Sequence, residues 1–471
     1  VGQPGLRAGD IVSVGAPGAR ADDRGSVLQL HGVGGPAGGA IIALRAGLHI
    51  IGRGPGVDLA LPDPDVSRRH ASLTVTPGGV TVHDLGSANG TYVDDLPVTE
   101  DGAELVAGQQ LRCGSCVLAL AALPDPPAAE RVDEAVRLIT RPPRLPAAPT
   151  EVVIDFPARP MPAIPLRVQW AATVVGAAGA AVLALVLRSP IFLAFAALGP
   201  LTMLATAVSD RWSARRGRRT ARRAFGRSEQ DAERRLAEAL AEDLAQLRLD
   251  HPDPAAVRLV AAPSTRIWER RRGDADLLIV RVGLGRRVAG PRPRRDGDDP
   301  PPREHGSAPI ALDLRRGPVG VAGAGSPALG VLRAMTAQLA VLHAPGDVRV
   351  LCATADSRGE RWRWLRWLPH LDRAADDAAG RRALVTDLAS EIAVRRAGRR
   401  LGEVWTGSWI VAVIDGAAGA PEMAAVPALL REGRDVGVTA LWLEDAAHVL
   451  PELPALSLEI DEHHRHKDVY E

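Results

Sequence analysis

Three short motifs in the first quarter of the chain combine arginine, hydroxyl and amide side chains in a way that suits phosphate binding. A phosphorylated hydroxyl side chain carries close to two negative charges and strong acceptor oxygens. An arginine with a hydroxyl or backbone donor beside it binds such a group through charge-assisted hydrogen bonds. The motifs are Gly52-Arg53, Ser67-Arg68-Arg69-His70 and Gly86-Ser87-Ala88-Asn89-Gly90-Thr91.

A second set of motifs, in the last third of the chain, is typical of nucleotide-binding loops but lacks the group that does the chemistry. A P-loop needs a lysine to reach the terminal phosphates and a serine or threonine for Mg²⁺. The only lysine of the chain is Lys467, in the tail. We therefore expect no catalytic residue and no metal site in this chain. The degenerate P-loop positions are Gly320, Gly323, Gly325 and Ser326, and the degenerate Walker B acid is Asp415, at the end of an apolar strand.

Size and composition allow several domains but exclude some classes of protein. The chain has 471 residues, a net charge of +1 and three cysteines, which argues against a general nucleic-acid binder and against a disulfide framework. Cys113 and Cys116 form a lone C-x-x-C, for which a strand containing two cysteines is favoured over a zinc or redox site. Because residue 1 is Val1, we expect the chain to begin inside a longer gene product.

The elements that must position the first set of motifs are short strands. Residues 26–121 alternate apolar and polar positions between Gly, Asp and Pro breaks, which predicts an all-β sandwich. The Gly-Arg, Ser-x-x-His and Asn-Gly motifs, at these spacings, resemble those of a forkhead-associated (FHA) domain. A copy of the FHA fold that binds protein without phosphate is the alternative.

The FHA resemblance implies a role for each residue of the motifs. Arg53 and Ser67 bind the phosphate of a phosphothreonine, and Arg68 is an extra donor. Asn89 holds the backbone of the bound peptide. The residues expected to shape or stabilise the loops are Gly90, Thr91, Gly52 and His70.

The segments on either side of this domain are predicted to be a remnant and a linker. A short segment within residues 1–20 is similar in sequence to the end of the FHA-like region. It is interpreted either as the remnant of a preceding FHA-like domain or as a chance similarity. Prolines recur through residues 122–166, which predicts an extended, semi-rigid linker.

Two apolar runs follow the linker. Residues 168–187 and 191–208 are separated by Arg188-Ser-Pro190, and each is close to the length that crosses a bilayer as a helix. Arginines lie mainly outside the pair, which predicts a two-pass plasma-membrane protein with both termini in the cytoplasm. A buried helical hairpin is the alternative.

The segment 211–250 is predicted to be a basic helical stalk. It contains no proline, and its leucines recur at three- or four-residue steps, as in an amphipathic helix. We expect its arginines to contact membrane lipids, with DNA as the alternative partner. The cluster at its start comprises Arg211, Arg215, Arg216, Arg218, Arg219, Arg222, Arg223 and Arg227.

Residues 251–471 alternate strand and helix patterns, which predicts a mostly parallel α/β domain. Several short segments of this domain resemble FtsK/SpoIIIE-type ATPases, and most closely the EccC/EssC component of type VII secretion systems. They include Arg281-Val-Gly-Leu-Gly285 and Trp362-Arg-Trp-Leu-Arg-Trp-Leu-Pro-His370. In the second segment, a role in core or interdomain packing is favoured over a role in ligand binding for Trp362, Trp364, Trp367 and His370.

The second resemblance implies the sensor and anchor portion of a secretion motor. The fold is then multidomain: an FHA sandwich, a transmembrane hairpin with a helical stalk, and a degenerate RecA/FtsK-like domain. ATP and Mg²⁺ would act in downstream domains, the partners would be a phosphothreonine-containing protein and other membrane subunits of the secretion system, and the family implies a homo-oligomer, often a hexamer. The alternatives are a DNA translocase and a non-enzymatic, membrane-tethered phosphopeptide adaptor.

Overall fold

The computed structural model describes most of the chain, with several gaps. The described residues are 28–122, 131–133, 136–138, 152–159, 175, 178–179, 182, 185–186, 191–261, 266–297, 299–400, 404–452, 456–460 and 466–470. The chain divides into two compact units. The first comprises Val1–Ala148, Ala245–Arg287 and His305–Glu471, and the second comprises Pro149–Leu244 and Val288–Glu304. The predicted remnant at residues 1–20 and most of the predicted linker lie outside the described residues.

The first unit begins with a sandwich of two sheets, in the orders β2-β1-β11-β10-β7-β8 and β4-β3-β5-β6-β9. Neighbouring strands are antiparallel except β3 and β4. The predicted all-β sandwich is confirmed. Its strands are β1 (Leu28–Gly34), β2 (Ile41–Leu44), β3 (Gly47–Gly52), β4 (Leu59–Ala60), β5 (Ala71–Thr76), β6 (Gly79–Asp84), β7 (Thr91–Val93), β8 (Leu96–Pro97), β9 (Ala103–Leu105), β10 (Gln110–Cys113) and β11 (Cys116–Ala122).

Alternation along the strands explains why the sandwich closes. In β6, Val80 and Val82 are buried while the residues between and after them are partly exposed, because successive side chains of a strand point to opposite faces. The apolar faces of both sheets meet in one core that includes Leu30, Leu73 and Leu118. Burial in this core raises the pKa of the Cys113 thiol to about 12, so this cysteine packs as a small apolar residue.

The α/β part of the first unit contains a seven-stranded sheet in the order β20-β19-β21-β22-β18-β23-β24. All its neighbours are parallel except β23 and β24. The remaining strands among the described residues are β12 (Arg131–Asp133), β13 (Val136–Leu138), β14 (Val153–Asp155), β15 (Ile279–Val288), β16 (Arg292–Arg294), β17 (Glu304–Asp313), β18 (Val319–Ala322), β19 (Val348–Thr354), β20 (Leu371–Ala375), β21 (Trp409–Asp415), β22 (Val438–Glu444), β23 (Ser457–Ile460) and β24 (His466–Tyr470).

Helices cover both faces of this sheet, as a parallel sheet requires. One face packs against α3, and the opposite face packs against α4 and α5. Along β19, Val350 packs in the apolar cluster on the α3 side of the sheet, and Leu351 packs in the cluster on the side of α4 and α5. This alternation is the two-residue period of a strand that is buried on both sides. The helices whose bounds the structure describes are α1 (Ile191–Asp250), α2 (Pro254–Ala261), α3 (Ser326–Leu342), α4 (Ala378–Ala397) and α5 (Val426–Gly433).

Polar contacts join the sandwich to the α/β part within the first unit. The Arg281 side chain is 5% exposed, and it donates to the backbone carbonyl of Val33 at 3.3 Å and to that of His251 at 3.2 Å. The Ser307 hydroxyl donates to Gln110 Oε1 at 2.6 Å. A buried guanidinium without acceptors is costly, so these contacts fix the sandwich against its neighbour.

The second unit is built around part of α1. Strands β14 and β16 pair in parallel, and Ile154 and Phe156 pack against Ala232 and Leu236 of the helix. Arg295 is 8% exposed and forms an ion pair with Glu229 at 2.9 Å. The segment predicted as a stalk is therefore helical and carries one packed apolar stripe.

The predicted membrane hairpin is not supported. Most of its first span, residues 168–187, lies outside the described residues. Its second span, residues 191–208, is the start of α1, a single helix of 60 residues that continues without a break through the arginine-rich segment. Among the helical residues that the structure describes, none forms a stretch long and apolar enough to cross a bilayer. The prediction of a two-pass plasma-membrane protein is therefore wrong.

Buried histidines make the stability of the fold sensitive to acid. His343 is fully buried; its Nε2 accepts from the Leu278 N–H at 3.1 Å and its Nδ1 lies 3.1 Å from the Leu339 carbonyl. Burial, followed by the charge of Arg270, lowers its pKa to about 3. Because the folded pKa lies below the unfolded value near 6.5, the unfolded chain binds the extra proton, and stability falls as pH falls below about 6.5.

We expect His343 alone to contribute about 2 kcal/mol to the loss of unfolding free energy between pH 7 and pH 5. Urea unfolding at the two pH values measures this loss, and His343→Gln, which keeps a polar side chain but does not titrate, should show a smaller one. An equal pH dependence in both proteins would contradict the assignment. Burial also lowers the pKa of other histidines, namely His31, His70, His251 and His370.

Candidate functional site

Three loops meet at one end of the sandwich and bring the first set of motifs together. The Arg53 N–H donates to the Ser67 carbonyl at 3.1 Å, and the Gly54 N–H donates to the Arg68 carbonyl at 3.1 Å. The Ser67 hydroxyl accepts from the Ala88 N–H at 3.1 Å. The structure therefore places the residues proposed for phosphate and peptide binding on loops that are directly hydrogen-bonded to one another.

Gly52 allows the first two loops to approach. A Cβ atom at this position would lie 2.2 Å from the Arg68 carbonyl oxygen, closer than atoms can pack. Any side chain would push the loop that carries Arg53 away from the loop that carries Ser67. This geometry fits the loop-shaping role that the sequence suggested for Gly52.

His70 connects the second loop with the third from below. It is fully buried; its Nδ1 accepts from the Ser67 N–H at 3.0 Å, and its Nε2 lies 3.2 Å from the Gly90 carbonyl, to which it donates in the neutral tautomer. Burial lowers the pKa of His70, which keeps Nδ1 free of a proton so that it can accept. His70 therefore supports Ser67 and Gly90 rather than contacting a ligand.

Asp84 organises the third loop, although it lies outside the three sequence motifs. One carboxylate oxygen accepts from the Ser87 and Thr91 hydroxyls, each at 2.6 Å, and the other accepts from the Gly86 and Ser87 N–H groups, each at 2.9 Å. Burial works to raise the pKa of Asp84, but these hydrogen bonds outweigh it and the pKa is lowered. The available signal was an acid at a strand end, with Gly-Ser beginning two residues later and a threonine seven residues later.

Replacing Asp84 by alanine is expected to lower the free energy of unfolding by about 2–3 kcal/mol, because the nearly buried Thr91 hydroxyl and the loop N–H groups lose their acceptor. The folded pKa is below the usual value near 4, so this stabilisation is present above about pH 4 and is lost as pH falls further. Urea unfolding at pH 7 measures it. Asp101→Ala, at an exposed turn, is the control, and an equal loss there would contradict the prediction.

Asn89 is exposed at the tip of the third loop and is held from one side. Its Nδ2 donates to the Asp65 carbonyl at 2.8 Å. Gly90 follows with a φ of +74°, a backbone conformation that favours glycine. Asp65 is itself placed by Asp63, which is 3% exposed and accepts from the Asp65 and Ser115 N–H groups. The hydrogen bond to Asp65 therefore fixes the orientation of the Asn89 side-chain amide.

The solvent-exposed surface of the site is basic. Arg53, Arg68 and Arg69 are exposed, and Ser67 is half-buried between them. Exposed guanidinium groups beside a hydroxyl and backbone N–H groups can bind an anion through several charge-assisted hydrogen bonds. The arrangement suits recognition of a phosphorylated side chain displayed on an extended peptide.

The second set of motifs lies at the carboxyl end of the parallel sheet. Gly323 and Gly325 have φ values of +153° and +80°, and Gly325 caps α3, which begins at Ser326. A Cβ atom on Gly323 would lie 2.6 Å from the Ile460 carbonyl, so this turn packs directly against β23. Gly320 lies inside β18, one residue after its start.

Asp415, predicted to be the degenerate Walker B acid, has a carboxylate that is already engaged. The residue is fully buried; Oδ1 accepts from Arg358 Nη1 at 2.7 Å and Oδ2 accepts from Trp362 Nε1 at 2.9 Å. Both oxygens therefore carry side-chain donors. Across the described ranges, no cluster of three or more His, Cys, Asp or Glu side chains is placed to hold a metal ion.

Comparison with known proteins finds matches to the part of the chain that contains the sandwich. Residues 33–123 match the family model described as the inner membrane component of T3SS, cytoplasmic domain. A structure solved in a study of phosphothreonine-dependent FHA domain interactions is 33% identical, covers 21% of this chain and 97% of that chain, and gives a TM-score of 0.19.

Two curated relatives match different lengths of the chain. The glycogen accumulation regulator GarA of Mycolicibacterium smegmatis is 35% identical over 121 residues, which are 23% of this chain and 73% of GarA. The ESX-4 secretion system protein EccC4 of Mycobacterium tuberculosis is 37% identical over 166 residues, which are 31% of this chain and 13% of EccC4. The chain thus spans only about an eighth of that secretion protein.

Proposed function

The chain belongs to the FHA-domain proteins and is homologous to the EccC proteins of type VII secretion systems, and from this premise we propose that its sandwich binds phosphothreonine-containing protein segments. The observation that carries the proposal is the convergence of Arg53, Ser67 and Asn89 on hydrogen-bonded loops. Arg53 and Ser67, with Arg68 as an extra donor, bind the phosphate. Asn89 binds the peptide backbone, and Gly90 and Thr91 shape its loop.

The rigidity of the loops supports this assignment. Binding a flexible peptide costs conformational entropy, and a receptor whose groups are already fixed adds little to that cost. Here His70 and Asp84 hold the second and third loops through the hydrogen bonds described above. The phosphate is met by groups whose backbone does not need to reorganise.

The proposed context is the FHA-bearing region of a type VII secretion ATPase. In this proposal the α/β domain hydrolyses no ATP, because it has no P-loop lysine and the Asp415 carboxylate is occupied. ATP and Mg²⁺ act in further domains of the full-length protein, which assembles with other secretion subunits and as a homo-oligomer. The phosphorylated partner would connect kinase activity to export.

The test is calorimetric titration of the purified chain with a library-selected phosphothreonine peptide, its unphosphorylated form and its phosphoserine form. We expect saturable binding of the phosphothreonine peptide and none of the unphosphorylated form, because the charged phosphate accepts the charge-assisted hydrogen bonds. The phosphoserine form carries the same phosphate without the γ-methyl group, so its affinity measures what that methyl group contributes. Treating the peptide with phosphatase should remove the signal. Equal affinity for phosphorylated and unphosphorylated forms would refute the proposal.

A further inference from the structure

The 3₁₀ helix Gly359–Trp367 separates its residues into three rows. A 3₁₀ helix has three residues per turn, so residues three apart lie above one another. Trp362 and Leu365 form the buried row, with 3% and 1% exposure. The other two rows are exposed, apart from the half-buried Trp364. One row contains Glu360, Arg363 and Arg366, and the other contains Arg361, Trp364 and Trp367.

Trp367 is 82% exposed, although it ends a helix whose other tryptophans are packed. Trp364 is half-buried and stacks on Trp362, with ring centroids 6.2 Å apart. An exposed tryptophan next to arginines is the composition that dominates binding energy at protein interfaces. We call Arg361, Arg363, Arg366 and Trp367 the basic-aromatic ridge.

The ridge is rigid because the body of the domain holds its helix. Trp362 Nε1 donates to the buried Asp415 at 2.9 Å. Arg333 of α3 donates to the Arg361 carbonyl at 2.6 Å, and Arg366 Nε donates to the Arg363 carbonyl at 2.9 Å. A partner would therefore meet a preformed surface and would not have to order it on binding.

The charge of the ridge defines the partner it fits. Its three arginines are exposed, and the only acid in the same helix is Glu360, which pairs with Arg363 at 2.8 Å. Arg361 Nη1 lies 3.9 Å from the buried Asp415, whose carboxylate already accepts from Arg358 and Trp362. Such an exposed pair is worth little, so Arg363 can exchange its partner for an incoming carboxylate. Arg333, immediately beneath, adds a further positive charge. Arginine binds carboxylates with a paired geometry that gives both affinity and orientation.

We propose that the basic-aromatic ridge is a docking surface for a segment of a partner protein that carries carboxylates on both sides of an apolar side chain. The apolar side chain packs on the Trp367 ring, and the carboxylates bind the arginines. The proposal needs no phosphate and is independent of the phosphopeptide site.

A display library of random, unphosphorylated twelve-residue peptides tests this surface on the whole chain. Peptides are selected on the wild type and counter-selected on Trp367→Ala. We expect the enriched peptides to carry Asp or Glu around one aromatic or aliphatic residue. A synthetic copy of the top peptide should bind about tenfold more weakly to Trp367→Ala, and more weakly in high salt.

Matched variants show whether the ridge itself binds the peptide. Trp212→Ala removes another exposed tryptophan, 74% exposed on α1, and should leave binding unchanged, as should Arg53→Ala. Arg366→Glu should weaken binding, whereas Arg431→Glu, on α5, should not. Because Trp367 is exposed, its variants should keep the wild-type unfolding midpoint.

Three results would overturn the proposal. One is the absence of enriched peptides, or enrichment of basic or uncharged sequences. The second is undiminished peptide binding by Trp367→Ala. The third is self-association of the wild-type chain that Trp367→Ala abolishes, since the occupant of the ridge would then be a second copy.

Discussion

Replacing Arg53 by alanine is expected to weaken binding of a phosphothreonine peptide by about 100-fold, while the fold stays intact. A charge-assisted hydrogen bond contributes about 1.5–3 kcal/mol, and an arginine can donate two of them to one phosphate. The Arg53 side chain is exposed, so its removal opens no cavity. Titration calorimetry measures the affinity, and the urea midpoint shows whether the fold survives.

Two further variants identify the cause of the loss. Arg53→Lys keeps the charge but not the planar fork, and we expect an affinity between those of the wild type and the alanine variant. Arg45→Ala removes an exposed arginine of the same sandwich and should bind normally. An unchanged affinity of Arg53→Ala, or an equal loss in Arg45→Ala, would show that Arg53 does not bind the phosphate.

The sequence predicts the sandwich well because the information is local. Strands, turns and the three loop motifs each fall within a few consecutive residues, and alternation fixes which face of a strand is buried. Asp84 could not be identified in the same way. Its importance depends on the Ser87 and Thr91 hydroxyls returning to one carboxylate, which is a property of the folded loop.

Long-range contacts were equally beyond the sequence. Arg281 donates to Val33, 248 residues earlier in the chain, and nothing in either local segment indicates that pairing. More than a hundred residues separate the sandwich from the α/β part in the sequence, yet the two share one compact unit. Spacing along the chain does not report which surfaces pack after folding.

The membrane prediction failed for a related reason. Hydropathy treats an apolar run as an isolated segment, and residues 191–208 satisfy such a rule. In the structure this run is the beginning of α1 and shares one helix with the arginines that follow. The tryptophan cluster shows the same limit: packing was expected for all of it, and it holds for Trp362 but not for Trp367, because the period of three places them on different rows.

Replacing Arg358 by alanine is expected to lower the free energy of unfolding by about 3 kcal/mol, because it removes the cation that donates to a buried carboxylate. Asp415 is fully buried, and the Arg358 side chain is 14% exposed. Trp362 can satisfy one carboxylate oxygen, and the remaining cation, Arg361, lies 3.9 Å from Asp415 Oδ2 and is 42% exposed, so it balances the charge only in part. Urea unfolding measures the loss, and Arg396→Ala, which removes an exposed ion pair with Glu432, should cost less than about 1 kcal/mol.

The double variant Arg358→Ala with Asp415→Asn decides whether charge is the cause. If the cost arises from the unpaired carboxylate, neutralising Asp415 should recover much of the stability, and the two substitutions will not be additive. Gly416 provides an independent check, since its φ is +68° and an added Cβ would lie 2.5 Å from Arg358 Nε. Gly416→Ala should therefore also weaken the pair.

The Arg358–Asp415 pair also leads to a test of whether Asp415, the predicted Walker B acid, is available to bind Mg²⁺. A carboxylate available to Mg²⁺ would make the wild-type chain more stable when Mg²⁺ and ATP are added, because a ligand that binds only the folded state raises its stability. With Arg358 and Trp362 on the two oxygens of Asp415, we expect no such shift. A higher unfolding midpoint with Mg²⁺ and ATP, lost in Asp415→Asn, would mean that the arginine yields its place to the metal and that the domain binds nucleotide after all.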